Sequence, residues 1–219
     1  MGKYLYYIGK TLLLACFVSP QALSNSSSLT TRIIEASDSL LERGDISYAW
    51  GGGKVKGSKE CDLCQSCLRK SSPKPKKQLI ACPSCQDCSL DCSHFIQQVF
   101  GLAGIDIPYL TTNAMLNTRH RILRERYGFL RLSGKAKLQP SDLIVYEGHV
   151  VLLERLHKGG RGDIIHATSG RELRGPGQGI QRARFVPLEN FKGPILAVLR
   201  HIDLVSVGRG KVIPRRIRP

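Results

Sequence analysis

Asp91-Cys92-Ser93-His94-Phe95-Ile96-Gln97-Gln98-Val99-Phe100-Gly101-Leu102-Ala103 is the stretch from which the rest of the chain can be read. Phe95, Val99, Leu102 and Ala103 recur at helical spacing, so a helix is expected over Cys92–Ala103, with Gly104 following it. A cysteine in its first turn lies against the positive end of the helix dipole and near unpaired backbone N–H groups, both of which lower a thiol's pKa. Such a thiol becomes a nucleophile when an imidazole stands beside it and a third group orients that imidazole.

Two histidines downstream stand on runs that read as β-strands: His149 in Gly148-His149-Val150-Val151-Leu152, and His166 in Ile164-Ile165-His166-Ala167-Thr168. Lys158-Gly159-Gly160 between them is a turn signal. Pairing His149 with His166 in a hairpin centres its turn between His157 and Lys158, and brings the two imidazoles within cross-strand reach. Cysteine at a helix start plus two histidines in register is a much stronger signal than any one of them.

Working outward, Thr30 or Thr31 is expected to cap a helix with Ile33, Ile34, Leu40 and Leu41 on one face, ended by Gly44. Tyr48-Ala49-Trp50-Gly51-Gly52-Gly53 follows, an aromatic segment stopped by glycines. Lys54–Ala81, rich in Lys, Ser, Pro and Cys, reads as an inserted loop, and Leu110–Arg126 as a further helix. Short β-runs then occupy Leu143–Tyr146, Val150–Leu153, Ile164–Thr168, Gly179–Arg184 and Ile195–His201. Helices first and an antiparallel meander after them predict an α+β domain over residues 29–207.

Tyr48-Ala49-Trp50-Gly51-Gly52, Asp91-Cys92-Ser93-His94-Phe95, Leu138-Gln139-Pro140-Ser141-Asp142-Leu143, Gly148-His149-Val150 and Ile165-His166-Ala167 occur in that order. Together they resemble the NlpC family of papain-like cell-wall endopeptidases, from about the first helix to about His201, interrupted by an insertion over 54–90. The resemblance implies a papain-like α+β core, N-terminal helices packed on an antiparallel sheet. It also implies hydrolysis of peptidoglycan stem peptides at the bond between γ-D-glutamate and a diamino acid such as diaminopimelate. By the same resemblance Cys92 is the nucleophile, His149 the general base and His166 the orienting residue. Tyr48 lies beside the thiol, and Asp91 and Ser93 help to hold the substrate's N-terminal end. Catalysis of this kind requires no cofactor. The chain departs from the family pattern at His94 and at Ser141, each standing where Gly is usual; a bulky His94 reshapes the pocket or binds metal. A catalytically inactive, wall-binding relative is the rival reading of the same motifs.

Cys61-x2-Cys64-x2-Cys67 and Cys82-x2-Cys85-x2-Cys88 leave two structural readings open. Cys61, Cys64, Cys82 and Cys85 have the paired C-x2-C spacing of a structural zinc site, with Cys67 and Cys88 as alternates. The six also permit fifteen disulfide pairings, and make a stapled basic binding protein the second rival. Cys82 to Cys92 matches a ferredoxin-cluster spacing, but that reading consumes Cys92 and lacks the proline that usually follows.

The N-terminus reads as an export signal over 1–24: Lys3 and Lys10, the apolar Thr11–Val18, then Ala22-Leu23-Ser24 for cleavage. Leu13-Leu14-Ala15-Cys16 offers the alternative of lipoprotein processing, with Cys16 as a membrane anchor. Export to the periplasm or cell envelope permits disulfides. The 219 residues carry 33 Lys and Arg against 17 Asp and Glu, a net charge of +16, part of it in the insertion and in a basic tail over 208–219. Those basic stretches lack interleaved aromatic residues, so an acidic wall polymer or anionic membrane surface is the expected partner rather than nucleic acid. Arg161-Gly162-Asp163 falls in a turn and is read as turn chemistry.

Overall fold

The computed structural model describes residues 28–134, 136–170 and 179–205; the signal segment with Cys16 and the basic tail lie outside the described residues. In chain order the elements are α1 (Leu29–Glu42), β1 (Ser47–Tyr48), β2 (Gly53–Val55), α2 (Ser58–Ser71), α3 (Gln78–Ala81), β3 (Cys88–Leu90), α4 (Cys92–Leu102), α5 (Thr112–Asn117), α6 (His120–Tyr127), β4 (Phe129–Arg131), β5 (Leu143–Tyr146), β6 (His149–Leu156), β7 (Arg161–Thr168), β8 (Gly179–Pro187), β9 (Ala197–His201) and α7 (Ile202–Val205). The expected α+β class, with helices packed on an antiparallel sheet, is what these elements build.

Strands β5 to β8 form the meander, β9 returns beside β5, and β4 closes the far edge in the order β4-β9-β5-β6-β7-β8. Alternation along the strands divides the core into two layers. Leu143, Val145, Val150, Leu152, Ile165 and Ala167 pack with Phe95, Ile96, Val99 and Phe100 of α4 and with Ile33 and Leu40 of α1. Ile144, Tyr146, Val151, Leu153 and Ile164 face the other way, beneath Leu188 and the half-buried Phe191. The Leu138–Leu143 motif anchors β5: the carboxylate of Asp142, fully buried, accepts two bonds from the Arg200 guanidinium at 2.7 and 2.8 Å. Ser141 beside it adopts φ +74°, the left-handed region that favours glycine.

Several expectations change. The cap of α1 is Ser28, which accepts from the Thr31 N–H, rather than a threonine. The single helix expected over Leu110–Arg126 is two, because the Arg131 guanidinium donates to the carbonyls of Met115, Leu116 and Thr118 and so closes α5. The β6–β7 turn centres on Gly159 and Gly160, both at positive φ, and the ladder runs Leu156↔Gly162 to Leu152↔Ile165 with a bulge between. His149 and His166 are therefore diagonal rather than directly opposed.

The insertion is not a loop. Helix α2 carries Cys61, Cys64 and Cys67 along one side, since residues three apart share a helix face. The returning segment brings back Cys88, Cys85 and Cys82, giving nested disulfides Cys61–Cys88, Cys64–Cys85 and Cys67–Cys82. The structure thus takes the disulfide branch: Cys61, Cys64, Cys82 and Cys85, with Cys67 and Cys88, are bonded in pairs instead of standing as a thiolate set for zinc. Among the described residues no cluster of His, Cys, Asp and Glu could hold a metal ion, so His94 has no metal partners there.

Candidate active site

Strand β3 positions the nucleophile. It lies between β1, parallel to it, and β2, antiparallel, and its last residue Leu90 is followed by Asp91 and then Cys92, the first residue of α4. Register sets Tyr48 opposite Leu90, so the tyrosine is held at the end of β1 close to the start of α4. Asp91 caps the helix: its Oδ1 accepts the His94 backbone N–H at 2.8 Å. Among the described residues Cys92 is the one free cysteine.

Cys92 reaches the sheet where β6 and β7 separate. Their ladder ends at Leu152↔Ile165, and beyond it the Val150 backbone N–H lies near enough to the Cys92 sulfur to favour its charged form. The thiol thus stands beside the first residues of β6, next in sequence to His149. The His149 and His166 rings meet edge to face, with His149 Nε2 at 2.7 Å from His166 Nδ1. That bond leaves His149 Nδ1 as the nitrogen for the thiol. An Nδ1 able to accept a proton requires His149 to carry its own on Nε2, donated to His166 Nδ1, and fixes His166 as the Nε2–H tautomer. Phe191 packs edge-on against His166 at 5.3 Å and holds that ring from the second core layer.

Electrostatics runs against one expectation. The helix start should lower the Cys92 pKa, but burial and then the Asp91 carboxylate outweigh it, and the thiol is pushed up to about 11. Burial, followed by the neighbouring His166 and Lys192, holds His149 well below the usual imidazole value. Both shifts favour the uncharged forms, a thiol on Cys92 and an imidazole on His149.

The structure brings Cys92, Tyr48, Asp91 and Ser93 together around the start of α4, and joins His149 to His166 at the mouth of the β6–β7 split. It also adds residues that the sequence reading passed over. Tyr109 stacks on His94 with ring centres 3.8 Å apart, and its hydroxyl lies 3.5 Å from Asp91 Oδ2. Its own pKa is raised to about 12, by burial and then by the charges of Asp91 and Cys92. Lys192 and Phe191 come from the β8–β9 connection. None of the three has a local sequence signal, since each acts through a contact made far along the chain. His94, noted as a departure from the family pattern, is clamped between Tyr109 and Gly53. A Cβ on that glycine would lie 2.5 Å from the His94 ring, so residue 53 must be glycine for the ring to fit.

No family model matches the sequence, and no curated protein matches it significantly. Solved structures do. The peptidoglycan hydrolase RipB from Mycobacterium tuberculosis matches at 18% identity and TM-score 0.45, covering 78% of this chain and 64% of RipB. This chain thus spans under two thirds of RipB's own length. RipD from the same organism, described as a non-catalytic NlpC/p60 domain protein adapted to peptidoglycan binding, matches at 16% identity and TM-score 0.43, covering 80% of this chain and 98% of that one. The P60 domain of an antigen from M. avium subspecies paratuberculosis gives 17% identity and TM-score 0.42, covering 80% and 98%. The chain is similar in fold to solved NlpC/P60-domain proteins.

Proposed function

We propose that this protein is an exported cysteine peptidase that cleaves peptidoglycan stem peptides, at the amide between γ-D-glutamate and a diamino acid. The observation that carries the reading is the imidazole pair: His149 bonded to His166 at 2.7 Å, directly before Val150, whose N–H lies near the Cys92 sulfur. The substrate class comes from the resemblance of the ordered motifs, and the exported location from the N-terminal segment.

The geometry supports the following course. His149 Nδ1 takes the Cys92 proton as the sulfur attacks the substrate carbonyl carbon, which suits a site that favours an uncharged thiol and an uncharged imidazole. The negative charge moves to the carbonyl oxygen, where the Cys92 backbone N–H, unpaired within the helix at its first position, can donate. The C–N bond then breaks, and the imidazolium of His149 returns its proton to the leaving amine. A thioester remains, which water cleaves with His149 again accepting the proton. His166 touches no reacting atom and is a positioning residue for the His149 ring.

Incubating the protein with purified muropeptides and weighing the products tests this reading. Cys92→Ala should lower turnover by roughly a thousandfold or more. Residual cleavage by Cys92→Ala at the wild-type rate overturns the nucleophile, and no cleavage by wild type overturns the enzyme. The burial that pushes the Cys92 thiol up to about 11 favours a second reading, a wall-binding relative without turnover. Muropeptide binding with no product release would select it.

A further inference from the structure

The outermost staple closes a strongly basic tip. Between Cys67 and Cys82 the chain carries Arg69, Lys70, Lys74, Lys76 and Lys77 and no Asp or Glu. The disulfide holds the two ends of this stretch with their Cα atoms 5.7 Å apart. All five cations are exposed. Elsewhere in the insertion Lys56 is paired with Asp87 at 3.1 Å, but among the described residues no ion pair includes any of the five. Cations confined to one short loop repel one another, and an external anionic surface relieves that repulsion.

The tip also presents apolar surface that the core does not use. Leu79 packs over Gly51, its Cδ1 lying 3.7 Å from the point that a Cβ there would occupy. That contact carries their sequence neighbours into one region: Ile80, 81% exposed, and Trp50, 57% exposed. A soluble polyanion would neutralise the lysines and leave both of these side chains in water. A bilayer accommodates all of them. Isoleucine enters below the phosphates, tryptophan sits at the headgroup level, and long lysine stems reach back to the phosphates. We propose that the stapled tip, together with Ile80 and Trp50, is a docking surface for a bilayer that contains anionic lipid. This goes beyond the peptidase reading and stands without it.

Trp50 is the sole tryptophan of the chain, so its emission reports on this surface and on neither the N-terminal segment nor the basic tail. With the full-length protein, phosphatidylcholine vesicles that contain phosphatidylglycerol should shift the emission to shorter wavelength, and lipid brominated in its acyl chains should quench it. Vesicles of phosphatidylcholine alone should do neither. Combining Lys74→Gln, Lys76→Gln and Lys77→Gln should weaken binding roughly a hundredfold, at about fivefold per charge. Ile80→Ser, which leaves the charge unchanged, should weaken it by about tenfold. Combining Arg215→Gln, Arg216→Gln and Arg218→Gln removes the same charge outside the tip and should weaken it far less. Lys74, Lys76, Lys77 and Ile80 are exposed, so both tip variants should unfold in urea as wild type does. Vesicle binding with unchanged Trp50 emission, or equal losses in the tip and tail variants, overturns the proposal. So does Ile80→Ser binding as tightly as wild type, which marks a soluble anionic polymer as the partner instead.

Discussion

Around α4, Phe95, Val99 and Phe100 are completely buried against Leu143, Val145 and Ile165, whereas the inner part of the insertion has only Leu68 and the half-buried Leu79 to pack on Cys64, Cys82 and Cys85. The first region is ordered by apolar area removed from water. The second has too little of that area and is ordered by covalent bonds, as in small secreted domains. The outermost staple, Cys61–Cys88, belongs to both, because its two cysteines are part of the main core. Order in the insertion is therefore carried inward to β3, and from β3 to Cys92.

The contrast can be broken from either side. In the sheet body, Arg200→Ala leaves the Asp142 carboxylate buried without its partner, and should cost roughly 3–5 kcal/mol in urea unfolding. A cost under 1 kcal/mol would mean that water reaches Asp142. In the insertion, replacing Cys64 and Cys85 together by Ser should cost about 3 kcal/mol. It should also open tryptic sites at Arg69, Lys70, Lys76 and Lys77 while the sheet body stays resistant. Thiol counting on the native protein with a zinc assay checks the premise, since six titrating thiols and one zinc per chain would refute the staples.

A third effect concerns the thiol that both regions position. Cys92 holds its proton more tightly folded than unfolded, with its pKa raised from 9.0 to about 11. That contribution to stability is complete below pH 9 and is lost as pH rises towards 11, by about 3 kcal/mol at 1.36 kcal/mol per unit. The difference between wild type and Cys92→Ala in urea unfolding at pH 8 and pH 11 measures it; parallel curves would show a thiol that is not buried. His149 gives the opposite limb. Its imidazole is held neutral by the fold, so stability should be full above pH 6.5 and be lost as pH drops from 6.5 towards the depressed folded pKa, whereas activity should persist below 6.5 and fall only near that folded pKa. The smallest effect is that of Ser141→Gly, which relieves a positive φ in the sheet body and should stabilise it by about 0.5–1 kcal/mol, read as a rise in Tm.

Legibility in the sequence followed the same divide. Helix α4, strands β5 to β9 and the diad of His149 and His166 announce themselves, because a long buried element writes its period into the chain. The strands of two or three residues, β1 to β4, are too short to carry a period. Helix α2 was hidden by composition, since its buried face is made of cysteines rather than of leucines and valines. The register between His149 and His166 was displaced because Gly159 and Gly160, not His157 and Lys158, make the turn. Tyr109 was invisible for another reason: it meets His94 and Asp91 only after the chain has folded back past α4. The sequence also pointed the wrong way on the Cys92 pKa, because a dipole can be read from position but burial cannot.

Val55 stands opposite Cys88 in the β2–β3 ladder, so residues 56–87 depart from and return to a single rung of the small sheet. A segment attached in this way is a cassette. Only its outer part, beyond the Cys61–Cys88 staple that belongs to the main core, can change in length while the strand leading to Cys92 keeps its place.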